Sequence, residues 1–276
     1  MVDSINTNAS SLLGVRSLQK TNSTLGNTQK EIATGKDVNS VKDNAAILAI
    51  SQLLESDVAG LGSVKNSLDR AISTTDVALA ASSSISDLLL QAKEKAVQAA
   101  DPGLDDASRS ALNQDFAAIK DQITSIVGTA EFNGTNAIKA GGDDIVAITG
   151  AEGDGNITID AQDLSLSGGN ITLTEGQSIA SAADAQAAVA AIDDSLGNLT
   201  SVLSQLGSGA RQLQQTKDFT EALSNTTEVG IGNLVDANLA SSSANLQASQ
   251  VKQALGIQSL SIANQQPAAI LGLFQS

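Results

Sequence analysis

The side chains that could carry chemistry in this chain are carboxylates. Paired acids stand at Asp105-Asp106, Asp143-Asp144 and Asp193-Asp194, and Asp154-Gly155-Asn156 follows the second pair. Divalent-cation binding and acid–base catalysis are the reactions such groups suggest. Adjacent residues on a helix do not converge on one ligand, and the run at Asp154 lacks the regular spacing of a calcium loop. The acids therefore read as helix starts and solvated charges. The chain has no His and no Cys, which removes imidazole bases, thiol nucleophiles, disulfides and the usual zinc sites. Gly207-Ser208-Gly209 and Gly150 to Gly155 lack the Lys-Ser or Lys-Thr of a phosphate loop and read as turns. No catalytic residue, cofactor or metal site is assigned, and an enzyme is not expected.

A net charge of −15 and a pI near 4.2 argue against nucleic acid or an anionic membrane as partner. Met1 to Ser11 is polar, without the charged and apolar regions of a cleaved signal, and no uninterrupted run of eighteen apolar residues suggests a membrane span. Only four residues are aromatic, Phe116, Phe132, Phe219 and Phe274, and the apolar remainder is mostly Ala, Leu, Ile and Val. Helix seams are favoured over a thick globular core.

The elements follow from periodicity. Gly232 to Phe274 is predicted as one long helix, with Leu239, Leu246 and Leu260 at multiples of seven, Gln253 in the missing step, and Leu255 and Ile262 as a flanking row. Its expected partner is a weak N-terminal helix, from about Ser4 to Thr34, in which Leu18, Leu25 and Ile32 recur every seven residues, with Val15 beside them and Leu12 before them. Periodicity alone leaves these rows open as core stripes of a bundle or as assembly seams. Lys30 to Lys42, running through Thr34, Gly35 and Asn39-Ser40, breaks the period and reads as a connector, with Asp43 placed to cap the next helix. Lys36 and Lys42 are either solvated or paired with Asp37, Asp43 or an acid on a neighbour.

Ile47, Leu54, Leu61 and Leu68 form one heptad row and Ile50, Val64, Ala71, Ala78 and Ile85 a second, until Pro102-Gly103 turns the chain. Leu112, Phe116, Ile119, Ile123 and Ile126 mark the returning helix. Alternating runs at Ile145–Ile148, Asn156–Asp160 and Asn170–Leu173 predict short strands in a Gly- and Asp-rich insert, after which helix resumes near Ser181. The fold class is mainly α, a long antiparallel helical coiled-coil bundle with a small β-rich insert. Its expected divisions are an inner coiled-coil domain made of 1–40 and 236–276, a central helical rod made of 41–140 and 178–235, and an insert at 141–177.

Several motifs in one order resemble bacterial flagellin, the filament subunit. They are Ser4-Ile5-Asn6-Thr7-Asn8, Thr34-Gly35-Lys36, Asn39-Ser40-Val41-Lys42-Asp43-Asn44-Ala45-Ala46, Phe132-Asn133-Gly134, and Ser259 to Pro267 with Ile270-Leu271-Gly272-Leu273-Phe274. Val229 to Asp236 and the short insert are most similar to alphaproteobacterial flagellins. The resemblance implies a secreted, extracellular subunit, exported unfolded by the flagellar type III apparatus and polymerised for swimming motility. It implies as partners further copies or other flagellins, the filament cap, hook–filament junction proteins and an export chaperone. Ile5, Leu12, Val15, Leu18, Leu25, Ile32, Leu239, Leu246, Leu255, Leu260, Ile262 and Phe274 would serve assembly, with Gly35, Lys36, Asn39, Lys42 and Asp43 as connector. A hook–filament junction protein, which shares the terminal design, is the alternative.

Overall fold

Local capping decides where the helices begin and end. In the computed structural model, which describes residues 7–273, Asn8 accepts the Ser11 N–H at 3.0 Å and opens α1 (Ala9–Thr34). Helix α2 (Val41–Ala99) is broken at Asn44, whose φ of −160° is extended and whose Oδ1 accepts the N–H groups of Ala46 and Ile47. The cap of the long run is thus Asn44, one residue beyond the expected Asp43. Asp105 caps α3 (Asp106–Thr129), and Ser181 with Asp184 forms a reciprocal box at the start of α4 (Ala182–Val235). The final helix does not begin at Gly232. Helix α4 continues to Val235, the chain breaks over 236–238, and Asn238 accepts the Ser241 N–H to open α5 (Leu239–Leu273).

The chain forms two compact units, one of residues 1–56 with 226–276 and one of residues 57–225. Their charge differs sharply. The second carries nine Lys and Arg against twenty-three Asp and Glu, the first six against seven.

In the 57–225 unit the expected heptads meet. Val64, Leu68, Ala71, Ala78 and Ile85 of α2 are buried in one cluster with Phe116 and Ile123 of α3 and Ile192, Leu199, Leu206 and Leu213 of α4, and Leu61 is buried as well. Ion pairs Lys65–Glu221, Asp69–Lys217 and Lys93–Asp193 run along α2 and α4 in opposite chain directions. The insert is part of this core. Strands β1 (Ile145–Ile148) and β2 (Asn156–Ile159) pair antiparallel with Ile145 opposite Ile159, while Leu164, Ile171, Leu173 and Ile179 are fully buried. Each such side chain contributes about 2 kcal/mol. The expected third strand at Asn170–Leu173 is irregular, because its polar partners lie on α4. The Thr172 N–H reaches Ser195 Oγ and the Thr172 hydroxyl donates to the Ala191 carbonyl. Gly60 of α2 admits the insert closely, since a Cβ there would lie 2.3 Å from the Ala151 carbonyl oxygen.

Two buried cations fasten loops to helices. Arg109 donates from Nε to the Ala99 carbonyl at 3.0 Å and from Nη2 to the Asp101 carbonyl at 2.8 Å, satisfying the open end of α2. Lys120 donates to the carbonyls of Glu175 and Gln177, both at 2.6 Å, with its ammonium 5.6 Å from the Phe116 ring centre. Burial holds this ammonium below the ordinary lysine value, against the raising effect of Asp121 and Glu175. One window within α2 is long and apolar enough, at mean hydropathy 1.3, to meet the criterion for crossing a membrane, and 11% of it is buried. The count of uninterrupted apolar residues does not reveal it.

Arg109→Ala removes charged donors from buried carbonyls and should lower stability by about 2 kcal/mol, read by urea unfolding of the full chain. Arg109→Lys should recover only part of this, because one ammonium cannot reproduce the planar fork.

Candidate assembly surfaces

The acids that suggested chemistry hold backbone or cations instead. Asp105 caps α3, Asp144 accepts the Ala161 N–H, Asp143 lies 3.9 Å from Lys139 Nζ, and Asp193 pairs with Lys93. Among the described residues no group of three or more acids could hold a metal ion. The described residues that the resemblance assigns to assembly lie on the terminal helices.

Helices α1 and α5 pack against each other in opposite directions. Asn8 Nδ2 donates to the Ala263 carbonyl at 2.7 Å, Ser11 Oγ to Asn264 Oδ1 at 2.7 Å, Gln253 Nε2 to Asn22 Oδ1 at 2.8 Å and Ser242 Oγ to Glu31 Oε2 at 3.0 Å. Two heptad rows on each helix make this seam. On α1 the row Leu18, Leu25, Ile32 alternates with Gly14, Thr21, Thr28, Gly35; on α5 the row Leu246, Gln253, Leu260 alternates with Ser242, Ser249, Gly256, Ala263. The fully buried seam residues are Thr28, Ser242 and Ser249. Val15, Leu18, Leu25, Ile32, Leu246 and Leu260 are half-buried.

The flanking row does not join the seam. Leu255 is 61% exposed, Ile262 59% and Val251, which the periodicity reading passed over, 59%. Leu12 and Leu239 are likewise exposed. Helix α5 therefore turns Leu246 and Leu260 with a row of small residues toward α1 and leaves a second apolar row facing solvent. Ile5 and Phe274 lie outside the described residues.

Between α1 and α2 the connector is tied to the break between α4 and α5. Gly35 takes the left-handed conformation, φ 71°, and donates its N–H to the Glu31 carbonyl, closing α1. Its own carbonyl accepts the Ala237 N–H at 2.9 Å, and the Val235 carbonyl accepts the N–H groups of Asp37 and Val38, so that Lys36 and Asp236 lie opposite each other in an isolated antiparallel backbone bridge. Val38 and Val235 are buried beside these bonds. Lys36 Nζ reaches Glu55 at 3.7 Å, an acid that sequence spacing did not suggest, and Lys42 is exposed with no ion pair among the described residues. Asn39 Nδ2 contacts Thr34 Oγ1 at 3.4 Å. Asp43 accepts the Ser40 hydroxyl at 2.8 Å and the Ser40 N–H at 3.0 Å. The Ser40 hydroxyl, with the Asn39 and Ser40 amides and Lys30, holds its carboxyl below the ordinary 3.8.

Long helices, an outward apolar row and acids spent on caps and ion pairs define a structural subunit whose partners are other helices. The models of the bacterial flagellin N-terminal and C-terminal helical regions match residues 5–140 and 189–274, and the chain belongs to the bacterial flagellin family, the subunits of the flagellar filament. It is 41% identical over 274 residues to flagellin FljK of Caulobacter vibrioides, covering 99% of both chains. It is 30% identical over 281 residues to a flagellin of Brucella melitensis, again covering 99% of both. The solved structure of a putative flagellar hook-associated protein from Vibrio parahaemolyticus shares the fold, with TM-score 0.58 at 14% identity, over 70% of this chain and all of that one.

Because the Asp43 carboxyl is lowered in the folded connector, its contribution is complete above the ordinary 3.8 and is lost as pH falls through the depressed value. Amide exchange at Ser40 should stay protected from neutral pH down to that range and open below it. In Asp43→Asn the protection should be weaker at neutral pH and lose this acid step.

Proposed function

We propose that the terminal helices assemble the filament by giving their outward apolar row to neighbouring copies. The single observation that carries this is the exposure of Leu255, Ile262 and Val251 on a helix that has already made its intramolecular pair. An apolar row of this kind on a helix with a made partner calls for a second one. Leu12 and Leu239 extend the exposed apolar surface, Leu18, Leu25, Ile32, Leu246 and Leu260 hold the pair, and Ile5 and Phe274 are assigned to assembly from the sequence alone. Residues 1–40 and 236–276 then act as the inner coiled-coil domain, 41–140 and 178–235 as the rod, 141–177 as the insert, and Gly35, Lys36, Asn39, Lys42 and Asp43 as the joint.

The pairing of α1 with α5 buries little apolar area, so ordering both helices draws on contacts that only neighbours supply. That arrangement suits a chain exported unfolded to the cell exterior, held by a chaperone before export and received by the junction proteins and the cap. The role is mechanical, in keeping with a structural family.

Seeded polymerisation of the full chain, followed by light scattering and electron microscopy, should give long filaments. A chain lacking 1–40 and 236–276 should stay soluble and helical. Leu255→Asp with Ile262→Asp should abolish growth while leaving the unfolding of the 57–225 unit unchanged. Growth of the truncated or doubly substituted chain would refute this account of the termini, and short oligomers under every seeding condition would favour a junction protein.

A further inference from the structure

The large and small rows on α1 and α5 all repeat every seven residues. Sliding one helix along the other by a heptad brings large rows back beside small ones, so the repeat leaves the axial alignment undetermined. Besides the bond from Ser11 to Asn264, three features of the seam are not repeated. A Cβ on Gly14 would lie 2.7 Å from Leu260 Cδ1, and one on Gly256 would lie 3.3 Å from Leu18 Cδ1, so each leucine rests where its partner has no side chain. After a slip Leu18 would face Ser249 or Ala263 and Leu260 would face Thr21 or Thr7, all of which carry a Cβ. The third feature is the bond from Gln253 to Asn22, which a slip in either direction breaks.

We propose that the reciprocal Leu18–Gly256 and Leu260–Gly14 notches and the Asn22–Gln253 rung form a register key. The key fixes one alignment of α1 on α5 and so sets the height at which Val251, Leu255 and Ile262 meet a second copy of this chain. The alignment stands on the seam alone; its effect on the second copy rests on the filament reading above. The Asn22–Gln253 bond lies at the exposed edge of the seam, so it marks the alignment weakly and the two glycine notches carry most of it. Glycine inside a helix is ordinarily weaker than alanine. At Gly14 and Gly256 the missing side chain is itself the hole. Gly26, also in α1, has nothing within 4 Å of an added Cβ and serves as the control.

The chain has no Cys, so introduced pairs report alone. In the full chain, Ser11→Cys with Asn264→Cys reads the observed alignment, and Ser11→Cys with Ile257→Cys reads a one-heptad slip. Each is oxidised before and after seeded growth, and intramolecular disulfides are quantified by mass spectrometry with mixed isotope labelling. The 11–264 link should exceed the 11–257 link by about tenfold or more. In a background of Gly14→Ala, Gly256→Ala, Asn22→Leu and Gln253→Leu the two should approach equality. An unchanged excess would overturn the key and leave alignment to the backbone joint at Lys36 and Asp236. An abundant 11–257 link in the starting chain, or no 11–264 link in either state, would also overturn it. In thermal melts of the polymer, Gly14→Ala should lower the midpoint and Gly26→Ala should not; a rise with Gly14→Ala counts against the key. A chain that forms the 11–264 link yet grows no polymer supports the key and counts against the filament reading.

Discussion

A helix pair that meets through glycine, serine and threonine buries little apolar surface, and the terminal part of this protein is built under that limit. Fixing a residue in a helix costs roughly 1–2 kcal/mol of conformational entropy, which burial has to offset. In α2, α3 and α4 the offset comes from leucines, isoleucines and a phenylalanine enclosed on every side. In α1 and α5 the enclosed side chains are Thr28, Ser242 and Ser249, while the large ones are half-buried or turned outward. The two units share a secondary structure and differ in where their stabilisation originates. One carries a core of its own; the other presents half of one.

What the sequence disclosed and what it concealed divide along the same line. The rows through Leu61 and Leu68, the turn at Pro102-Gly103 and the helix beginning at Ser181 rest on local spacing and capping, which a single chain displays openly. The capping of α2 by Asn44, and the break at 236–238 opened by Asn238, were signalled by cap-type residues whose message was masked by apolar rows continuing in phase on either side. Hidden altogether were Arg109 and Lys120, since their partners are carbonyls that any residue offers. That Leu255 and Ile262 stand outside the seam with α1 was hidden for a different reason. Helix α5 has two apolar rows, and periodicity cannot say which one turns inward. The heptad of small residues from Ser242 to Ala263 was the available sign.

Acidic residues show how a composition that hints at chemistry can serve architecture. Asp105 satisfies an open helix end, Asp184 accepts the hydroxyl of the Ser181 that caps another, Asp43 holds the connector turn, and Asp69 and Glu221 cross to lysines on a facing helix. Exposed pairs of this sort stabilise weakly one by one. Three of them along α2 and α4 still oppose a relative slide, because each long side chain reaches only one partner. Backbone bonds from Gly35 and Val235 do the same at the joint, where bending one crossing without the other would break an N–H to carbonyl bond.

The uneven charge of the two units gives the assembled polymer an electrical character. Each added copy brings the nearly neutral 1–56 and 226–276 unit and a 57–225 unit with twenty-three acids against nine basic residues. Copies stacked in a filament are therefore a polyelectrolyte whose counterion cloud thins to about 8 Å at physiological salt. Parallel filaments so charged repel at close approach. The acids that cap helices inside one subunit thus also set the charge of the polymer, and dissolved salt sets how far that charge acts.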